Sequence, residues 1–422
     1  MAKRILIMTL GTGRGVENGI AKCIQTFNPD VVRFITTHQG KETIPKVAEA
    51  LQTLYQLEMP QVVEPVMLER ESDVNLTYRQ SIAAIDEALH EDYSPHEIYI
   101  DFTSGTKAMS VGISLAAFMR ECPQMVYIGG FDRDENGRVI TGSETIMSFT
   151  PTIVFAGYKE KLLKQMFNHY QFEAATQLVD NVLQTVPNPA VRQPFETLKW
   201  IIAGYAHWDK FDHQEAKQNF DKVSREVLET WGLTQNVGFL KRIVGKQETI
   251  KQSPAESLPA TQRSIPELIP DLLENAYRRA QEGKYDDAVA RLYRLMELIG
   301  QMKLAEYGFD TGDIDVNRFE DETLKAKYEA MRSPRTKKVQ IGLAKNYELL
   351  RDLGEEELAA IYLDDPKMQG LLNQRNNSIL AHGLTPISKD DFEKFYEKVC
   401  TLAETLLPNL NEMRKQAEFV TL

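Results

Sequence analysis

Cysteine is scarce in this chain. Only three occur among its 422 residues, and none forms a CxxC motif or a cluster with histidine: Cys23, Cys122 and Cys400. This spacing excludes a disulfide scaffold and the usual zinc-binding patterns, so we expect no metal site. Three free thiols are typical of a protein in a reducing compartment.

Long apolar runs and an excess of positive charge are also missing. No apolar stretch reaches the roughly 18 residues of a membrane span, and the apolar run after Arg4 is too short for a signal peptide. We therefore expect a soluble, cytoplasmic protein. The net charge of −12 argues against a broad electrostatic grip on nucleic acid. One small basic patch is nevertheless present: Arg332, Arg335, Lys337 and Lys338.

The first 150 residues alternate between strand-like and helix-like segments. This alternation predicts an α/β domain built from βαβ units around a mainly parallel, Rossmann-like sheet. The sequence Asn136-Gly137 is a typical turn, and we expect a β-hairpin near residues 131–149 to close the domain. The predicted strands are Arg4–Leu10, Val31–Thr36, Gln61–Val66, Glu97–Phe102 and Met125–Gly129, and the predicted helices span roughly residues 17–27, 41–57, 74–90 and 105–120.

The rest of the chain is predicted to be all-α. Helical spacing continues to about residue 245, and the polar, proline-containing stretch that follows indicates a linker. Helical spacing then resumes at about residue 267. The sequence therefore predicts four parts: an α/β domain at 1–150, a helical connecting domain at 151–245, a linker at 246–266 and a second helical domain at 267–422.

Two small polar loops follow strands of the predicted sheet. The first is Gly11-Thr12-Gly13-Arg14-Gly15, where glycine lets the backbone approach a ligand and the next helix offers free N–H groups to an anion. The second follows the fourth strand, Glu97–Phe102. It supplies hydroxyl groups, backbone room and one positive charge through Thr103, Ser104, Gly105, Thr106 and Lys107.

Both loops are expected at the carboxyl ends of parallel strands, where ligands bind in such sheets. We therefore predict that Gly11, Thr12, Gly13 and residues 103–107 bind an anionic, nucleotide-like ligand. A simple turn is the alternative for the first loop, because glycine after a strand is common. Its Gly-x-Gly-x-Gly order differs from the dinucleotide fingerprint, which disfavours a nicotinamide enzyme, and the Gly-Thr-Lys order of the second loop is not a Walker A motif.

A second constellation lies near the end of the chain. Asp365 and Pro366 predict the start of a helix, and Gly383 with Pro386 predicts its end. Arg375 and His382, seven residues apart, would then lie on one helix face, with His382 at the carboxyl end where the helix dipole favours imidazolium.

This pair suits metal-independent cleavage of RNA. The 2′-hydroxyl of RNA is the nucleophile, a histidine moves its proton, an arginine stabilises charge on the phosphate, and Asn376 is placed to orient either group. The alternative is a solvated arginine with a histidine that caps the helix. The other histidines, His38 among them, have no comparable partners and are interpreted as structural or surface residues.

Together these motifs resemble the CRISPR-associated CARF–HEPN ancillary ribonucleases of type III systems. The loop Asp-x-Thr-Ser-Gly-Thr-Lys after a Rossmann-like strand is similar to a CARF domain, and Arg-Asn followed by His382 is similar to the HEPN motif, in which four to six residues separate arginine from histidine. The segment 276–301 also resembles early helices of HEPN domains.

The resemblance implies a mechanism. A cyclic oligoadenylate, most simply cyclic tetra-adenylate with cyclic hexa-adenylate as the alternative, would bind the two loops across a homodimer axis and activate Arg375, Asn376 and His382 in a composite cleft. Single-stranded RNA would be cut to 2′,3′-cyclic phosphate products. Slow degradation of the activator would involve Thr12 and Lys107. The alternative function is a catalytically inactive regulator or adaptor that senses the nucleotide and acts through its helical domain, and a Rossmann-type oxidoreductase is a third.

Overall fold

A computed structural model describes residues 3–130, 132–135, 139–140, 142–186, 188–253 and 264–422. The chain divides into two units, Met1–Lys159 (unit 1) and Glu160–Leu422 (unit 2). The predicted Asn136-Gly137 turn lies outside the described residues.

Unit 1 contains the predicted, mainly parallel sheet. Its strand order is β3-β2-β1-β5-β6-β7, β4 also pairs with β2, and only β6 and β7 are antiparallel among the described strands. The central strand β1 is buried throughout because its apolar side chains face helices on both sides. The strands are β1 (Ile5–Leu10), β2 (Val31–Thr36), β3 (Gln61–Val62), β4 (Val66–Met67), β5 (Ile98–Asp101), β6 (Gln124–Gly130) and β7 (Glu144–Phe149).

The helices of unit 1 cover both faces of the sheet. Leu6 and Met8 of β1 belong to the core on the side of α1 and α3, whereas Ile5 and Ile7 belong to the core on the side of α4 and α5. This three-layer α/β/α arrangement confirms the predicted fold class. The helices are α1 (Val16–Phe27), α2 (His38–Lys41), α3 (Ile44–Tyr55), α4 (Val74–His90) and α5 (Lys107–Met119).

Two details of the predicted sheet are wrong. The expected third strand is split into β3 and β4, because Pro65 lacks the N–H that a continuous ladder needs. The hairpin begins earlier than residue 131, since the partner of β7 is β6 itself, with Met125 opposite Phe149 and Gly130 opposite Glu144.

Unit 2 is helical throughout its regular structure, as predicted. The division between the units, after Lys159, falls within α6. Among the described residues, no helix is long and apolar enough to span a membrane. The helices are α6 (Thr152–Asn168), α7 (Phe172–Thr185), α8 (Pro189–Asp209), α9 (His213–Phe220), α10 (Arg225–Thr230), α11 (Thr234–Gln252), α12 (Leu268–Gln281), α13 (Tyr285–Glu306), α14 (Glu322–Glu329), α15 (Leu343–Asp352), α16 (Glu356–Leu363), α17 (Pro366–Asn376), α18 (Lys389–Leu406) and α19 (Leu410–Ala417).

The predicted linker at 246–266 is wrong in its first part. Helix α11 continues to Gln252, because residues 246–252 contain neither glycine nor proline and consist mostly of good helix formers. Their polarity reflects a largely exposed helix surface, and Lys246 forms an ion pair with Glu267 at 2.7 Å.

Buried polar contacts and an aromatic cluster join α8 and α9 to α12. The Asp271 carboxylate accepts a hydrogen bond from Trp208 Nε1 at 2.8 Å and lies 2.8 Å from His213 Nε2. Phe419, just after α19, packs 4.6 Å from the Tyr205 ring, and the guanidinium of Arg278 lies 3.6 Å from the centre of the Phe419 ring. The helices on either side of residues 254–263 therefore share one core.

Candidate functional site

The two predicted loops of unit 1 meet at the carboxyl edge of β1 and β5. The backbone N–H of Gly11 donates a 3.0 Å hydrogen bond to Ser104 Oγ, and the Thr9 hydroxyl donates to the carbonyl of Ser104. A Cβ atom on Gly11 would lie only 2.8 Å from the Cα of Gly105. The loops therefore touch backbone to backbone, which only glycine at position 11 permits.

The two loops differ in how they lead into the helices that follow them. Gly105 has a φ of +96°, a left-handed conformation that favours glycine. Thr106 then caps α5 by accepting a 3.2 Å hydrogen bond from the N–H of Met109. By contrast, no side chain caps the N-terminus of α1 after Gly15; the N–H groups of Val16 and Asn18 donate to the carbonyls of Gly13 and Gly15 instead, and the positive end of the helix dipole faces the first loop.

Asp101, the last residue of β5, anchors the second loop through its carboxylate. Its carboxylate is fully buried and accepts a 2.8 Å hydrogen bond from the N–H of Thr103, whose hydroxyl in turn accepts from the N–H of Ile128 at 2.7 Å. Burial raises the pKa of Asp101 to about 6, and the bonds from Thr103 oppose this rise. Asp101 is thus part of the scaffold of the loop.

The loops form one side of a cleft of about 570 Å³. Seven of the eight predicted ligand residues line it: Gly11, Thr12, Gly13, Thr103, Ser104, Gly105 and Thr106. Lys107 does not line the cleft, because it begins α5 and its side chain is exposed.

The other side of the cleft was missed by sequence reasoning. Thr37, His38 and Gln39 follow β2, and Glu69 and Glu71 come after β4. His38, interpreted from the sequence as a structural or surface residue, is exposed at the cleft. The sequence could have identified them, because they also follow parallel strands and therefore lie at the same edge of the sheet.

In unit 2, α17 begins as predicted but ends early. Asp365 caps the helix by accepting a 2.9 Å hydrogen bond from the N–H of Lys367, and Pro366 is its first residue. The helix stops at Asn376, so Arg375 and His382 do not lie on one helix face, and the expected effect of the helix dipole on His382 has no basis.

The early stop has a local cause. After Asn376 the chain folds back, with the N–H of His382 donating to the carbonyl of Asn376 at 3.1 Å and that of Gly383 to Ser378 at 3.2 Å. A Cβ on Gly383 would lie 2.1 Å from the carbonyl oxygen of Asn377. Asn and Ser, which compete with helical hydrogen bonds, favour this turn over another helical turn. The resulting loop, residues 377–385, is here called the histidine loop.

The histidine loop still keeps the three predicted residues together. Arg375 is half-buried, and its guanidinium lies 4.1 Å from the centre of the Tyr293 ring on α13 and donates to Asn376 Oδ1 at 3.2 Å. His382 is exposed and bound through its backbone to Asn376. The arrangement ties the backbone of His382 to Asn376, whose side chain accepts from the guanidinium of Arg375. Tyr293, far away in sequence, carries no local signal that would have identified it.

Acidic and metal-ligating side chains do not gather in the described parts of the chain. No group of three or more His, Cys, Asp or Glu residues is placed there to hold a metal ion.

Comparison with known families matches both helical regions. The Csm6 6H domain matches residues 155–249, and the Csm6 HEPN domain matches residues 258–406, which include Arg375, Asn376 and His382.

One related sequence and one solved structure point to the same family as the domain matches. The chain is 25% identical over 353 residues to the CRISPR system endoribonuclease Csm6 of Thermus thermophilus, a match that covers 80% of this chain and 73% of the relative. Its fold is similar to that of Enterococcus italicus Csm6 bound to cyclic hexa-2′-fluoro-hexa-dAMP, with a TM-score of 0.59, 16% identity and 99% of each chain covered. With a CARF-type α/β domain followed by the 6H and HEPN domains, the chain belongs to the Csm6 family of CARF–HEPN proteins.

Proposed function

We propose that this protein is a cyclic-oligoadenylate-activated, metal-independent endoribonuclease that cleaves single-stranded RNA in type III CRISPR antiviral defence. The observation that carries the proposal is that Asn376 joins the two groups in a Csm6 HEPN domain: its side chain accepts from the Arg375 guanidinium, and its carbonyl accepts from the backbone of the exposed His382. The ribonuclease activity of the Thermus thermophilus relative supports the same reaction class.

The chemistry follows from these side chains. The 2′-hydroxyl of the RNA attacks the adjacent phosphorus, and the bond to the 5′-oxygen of the next nucleotide breaks. His382 takes the proton of the 2′-hydroxyl and returns a proton to the leaving 5′-oxygen, Arg375 stabilises the charge that develops on the phosphate, and Asn376 orients the guanidinium. The products are a 2′,3′-cyclic phosphate and a 5′-hydroxyl. Every step uses groups of the protein and the RNA, which is the reason to propose metal independence.

The activator site is the cleft of unit 1. Its backbone N–H groups and hydroxyls suit phosphate groups, and the cyclic nucleotide analogue bound to the Enterococcus italicus relative supports this ligand class. We propose cyclic tetra-adenylate as the activator, with cyclic hexa-adenylate as the alternative. Slow degradation of the ring belongs to the same proposal, with Thr12 in the cleft, whereas Lys107 lies outside it.

A homodimer is supported by an apolar face on unit 1. A depression of about 570 Å³ is lined by side chains from α5, β7 and α6, including Val111, Leu115, Phe149 and Val154, all of which are exposed. Exposed apolar area of this kind marks an interface. Because α5 begins at the cleft, we infer that pairing of two such faces would bring the two clefts near the same two-fold axis.

A fluorogenic RNA assay in EDTA tests the proposal, with cyclic tri-, tetra- and hexa-adenylate added separately. We expect cleavage with one ring only, loss of cleavage in His382→Ala, and normal cleavage in the control His169→Ala, which lies just after α6 with its ring against the backbone carbonyl of Gln165. Mass spectrometry should find a 2′,3′-cyclic phosphate. Ring binding without cleavage would establish the inactive regulator instead, and the absence of both would refute the proposal.

A further inference from the structure

A groove runs along the HEPN domain between α17 and α18, next to the candidate catalytic residues. Its volume is about 420 Å³, and Gln374, which lines it, directly precedes Arg375. Gln374 and Asp391 also line a smaller pocket of about 270 Å³ together with Asn377, Gly383 and Thr385 of the histidine loop. The groove and the histidine loop are therefore continuous through shared side chains.

Three lysines line this groove, and two of them form no ion pair among the described residues. Lys398 is neutralised by Asp365, whose carboxylate lies 2.5 Å from its ammonium. Lys367 and Lys394 are exposed and form no ion pair with any residue in the described ranges. Their ammonium groups are thus available to an outside anion, and each such contact releases counterions when the anion is a nucleic acid.

The groove also contains two carboxylates. Asp391 is engaged at the start of α18, where it accepts a 2.6 Å hydrogen bond from the Ser388 hydroxyl. Glu397 is the other acidic side chain of the lining, and neither carboxylate forms an ion pair with Lys367 or Lys394 among the described residues. The groove therefore has no net excess of positive charge, and its distinguishing feature is two unpaired ammonium groups beside the histidine loop.

The basic patch seen in the sequence is less available. Arg332 is bound to the Glu329 carboxylate at 2.5 Å and to the carbonyl of Lys337 at 2.5 Å. Lys338 lies 4.0 Å from Asp313. Two of the four cations there are therefore occupied by the protein itself.

We propose that Lys367 and Lys394 bind backbone phosphates of the RNA strand beside the scissile bond, with Gln374 between them and the histidine loop. This inference rests on the proposed ribonuclease function and adds the path of the substrate. The two lysines act as binding residues that hold the strand, whereas proton transfer and charge stabilisation stay with His382 and Arg375.

The test uses the double variant Lys367→Gln/Lys394→Gln in the full chain. Its binding to a single-stranded RNA with 2′-O-methyl groups, which lacks the nucleophile, is measured by anisotropy at several salt concentrations. We expect the slope of log K against log salt to become shallower by about 1.4, since each lost phosphate contact on a single strand removes about 0.7. In cleavage assays KM should rise about tenfold with kcat nearly unchanged.

The matched control is Lys251→Gln/Lys415→Gln, which removes the same charge from exposed positions on α11 and α19. An equal change of slope in this control, or a larger one in Arg335→Gln/Lys337→Gln, would overturn the inference. If the wild type binds the methylated RNA but cleaves no RNA with any activator, the proposed function fails while the salt slopes still decide the role of the groove. Lys394→Gln alone, with half the slope change, covers the case in which the double variant does not fold.

Discussion

The cleft of unit 1 and the histidine loop of unit 2 hold their chemistry in place by different means. In the cleft, two loops are fixed by strands beneath them and by direct contact between Gly11 and Gly105. In the histidine loop, no sheet supports the chain, and backbone hydrogen bonds from His382 and Gly383 fold it onto the end of α17.

The difference shows where each site is vulnerable. The cleft depends on the close approach of two loop backbones. The strands of the sheet position these loops, and the polar side chains of the loops line the cleft. The histidine loop depends on one sharp turn, so a single added methyl group there displaces the imidazole. Substitutions in each site test whether this contrast holds.

Gly383→Ala should lower the activated rate of RNA cleavage about a hundredfold, because a small displacement of a catalytic group has an effect of this size. The added Cβ would lie 2.1 Å from the carbonyl oxygen of Asn377, so the histidine loop must move. Single-turnover cleavage with saturating activator measures the rate. The control is Gly245→Ala on α11, where a Cβ meets nothing within 4 Å. A normal rate in Gly383→Ala would show that the loop can adapt.

Gly11→Ala should raise the activator concentration needed for half-maximal cleavage by more than about tenfold, since overpacking typically costs 1–3 kcal/mol. The new Cβ would push the first loop away from Gly105. Titration of cyclic oligoadenylate in the RNA assay measures the shift. Gly157→Ala on α6 is the matched control, because its Cβ has open space. An unchanged titration would remove the contact between the loops from the account of the cleft.

Asp101→Asn should remove a pH dependence of the stability of unit 1. A buried carboxyl whose folded pKa is raised stabilises the fold below its unfolded pKa of 3.8, and this stability is lost as pH rises through the folded pKa of about 6. From pH 5 to 7.5 the wild type should therefore lose about 1 kcal/mol more than the variant. Asparagine keeps the acceptor for the N–H of Thr103. Parallel denaturant curves for both proteins would contradict the prediction.

Tyr293→Leu should lower kcat about two- to fivefold, the range expected for an exposed to half-buried cation–π contact. The Arg375 guanidinium lies 4.1 Å from the centre of this ring and would lose its fixed position. Tyr293→Phe keeps the ring and should restore kcat. Both variants are compared at saturating RNA, with melting temperatures measured alongside. A defect shared equally by Phe and Leu would assign the role to the hydroxyl instead.

Much of unit 1 could be predicted because local signals and tertiary packing agree there. The helix at 74–90 has the predicted bounds, since Asp73 caps its start by accepting from the N–H of Leu76. The edge rule for parallel strands brought the loops after β1 and β5 together. Applied only to the loops after β1 and β5, it missed His38 after β2 and Glu69 after β4.

The histidine loop shows what spacing could not provide. A separation of seven positions between Arg375 and His382 fits two helical turns, but the helix ends just after Arg375, where Gly383 folds back against Asn377. The contact with Tyr293 joins segments remote in sequence. The turn at Gly383 and the contact with Tyr293 both depend on tertiary packing, which the periodicity of the sequence cannot predict.

The cluster around Phe419 has a mechanical consequence for unit 2. Helices α8 and α12 cannot slide past each other without exposing the ring of Phe419 and separating Asp271 from Trp208. Losing this aromatic contact and leaving a buried carboxylate unpaired would cost several kcal/mol. The 6H and HEPN helices are therefore stiffly coupled. Helix α12 in turn packs against α13, whose Tyr293 contacts Arg375. A displacement of α8 would therefore also displace the helix that supports this guanidinium.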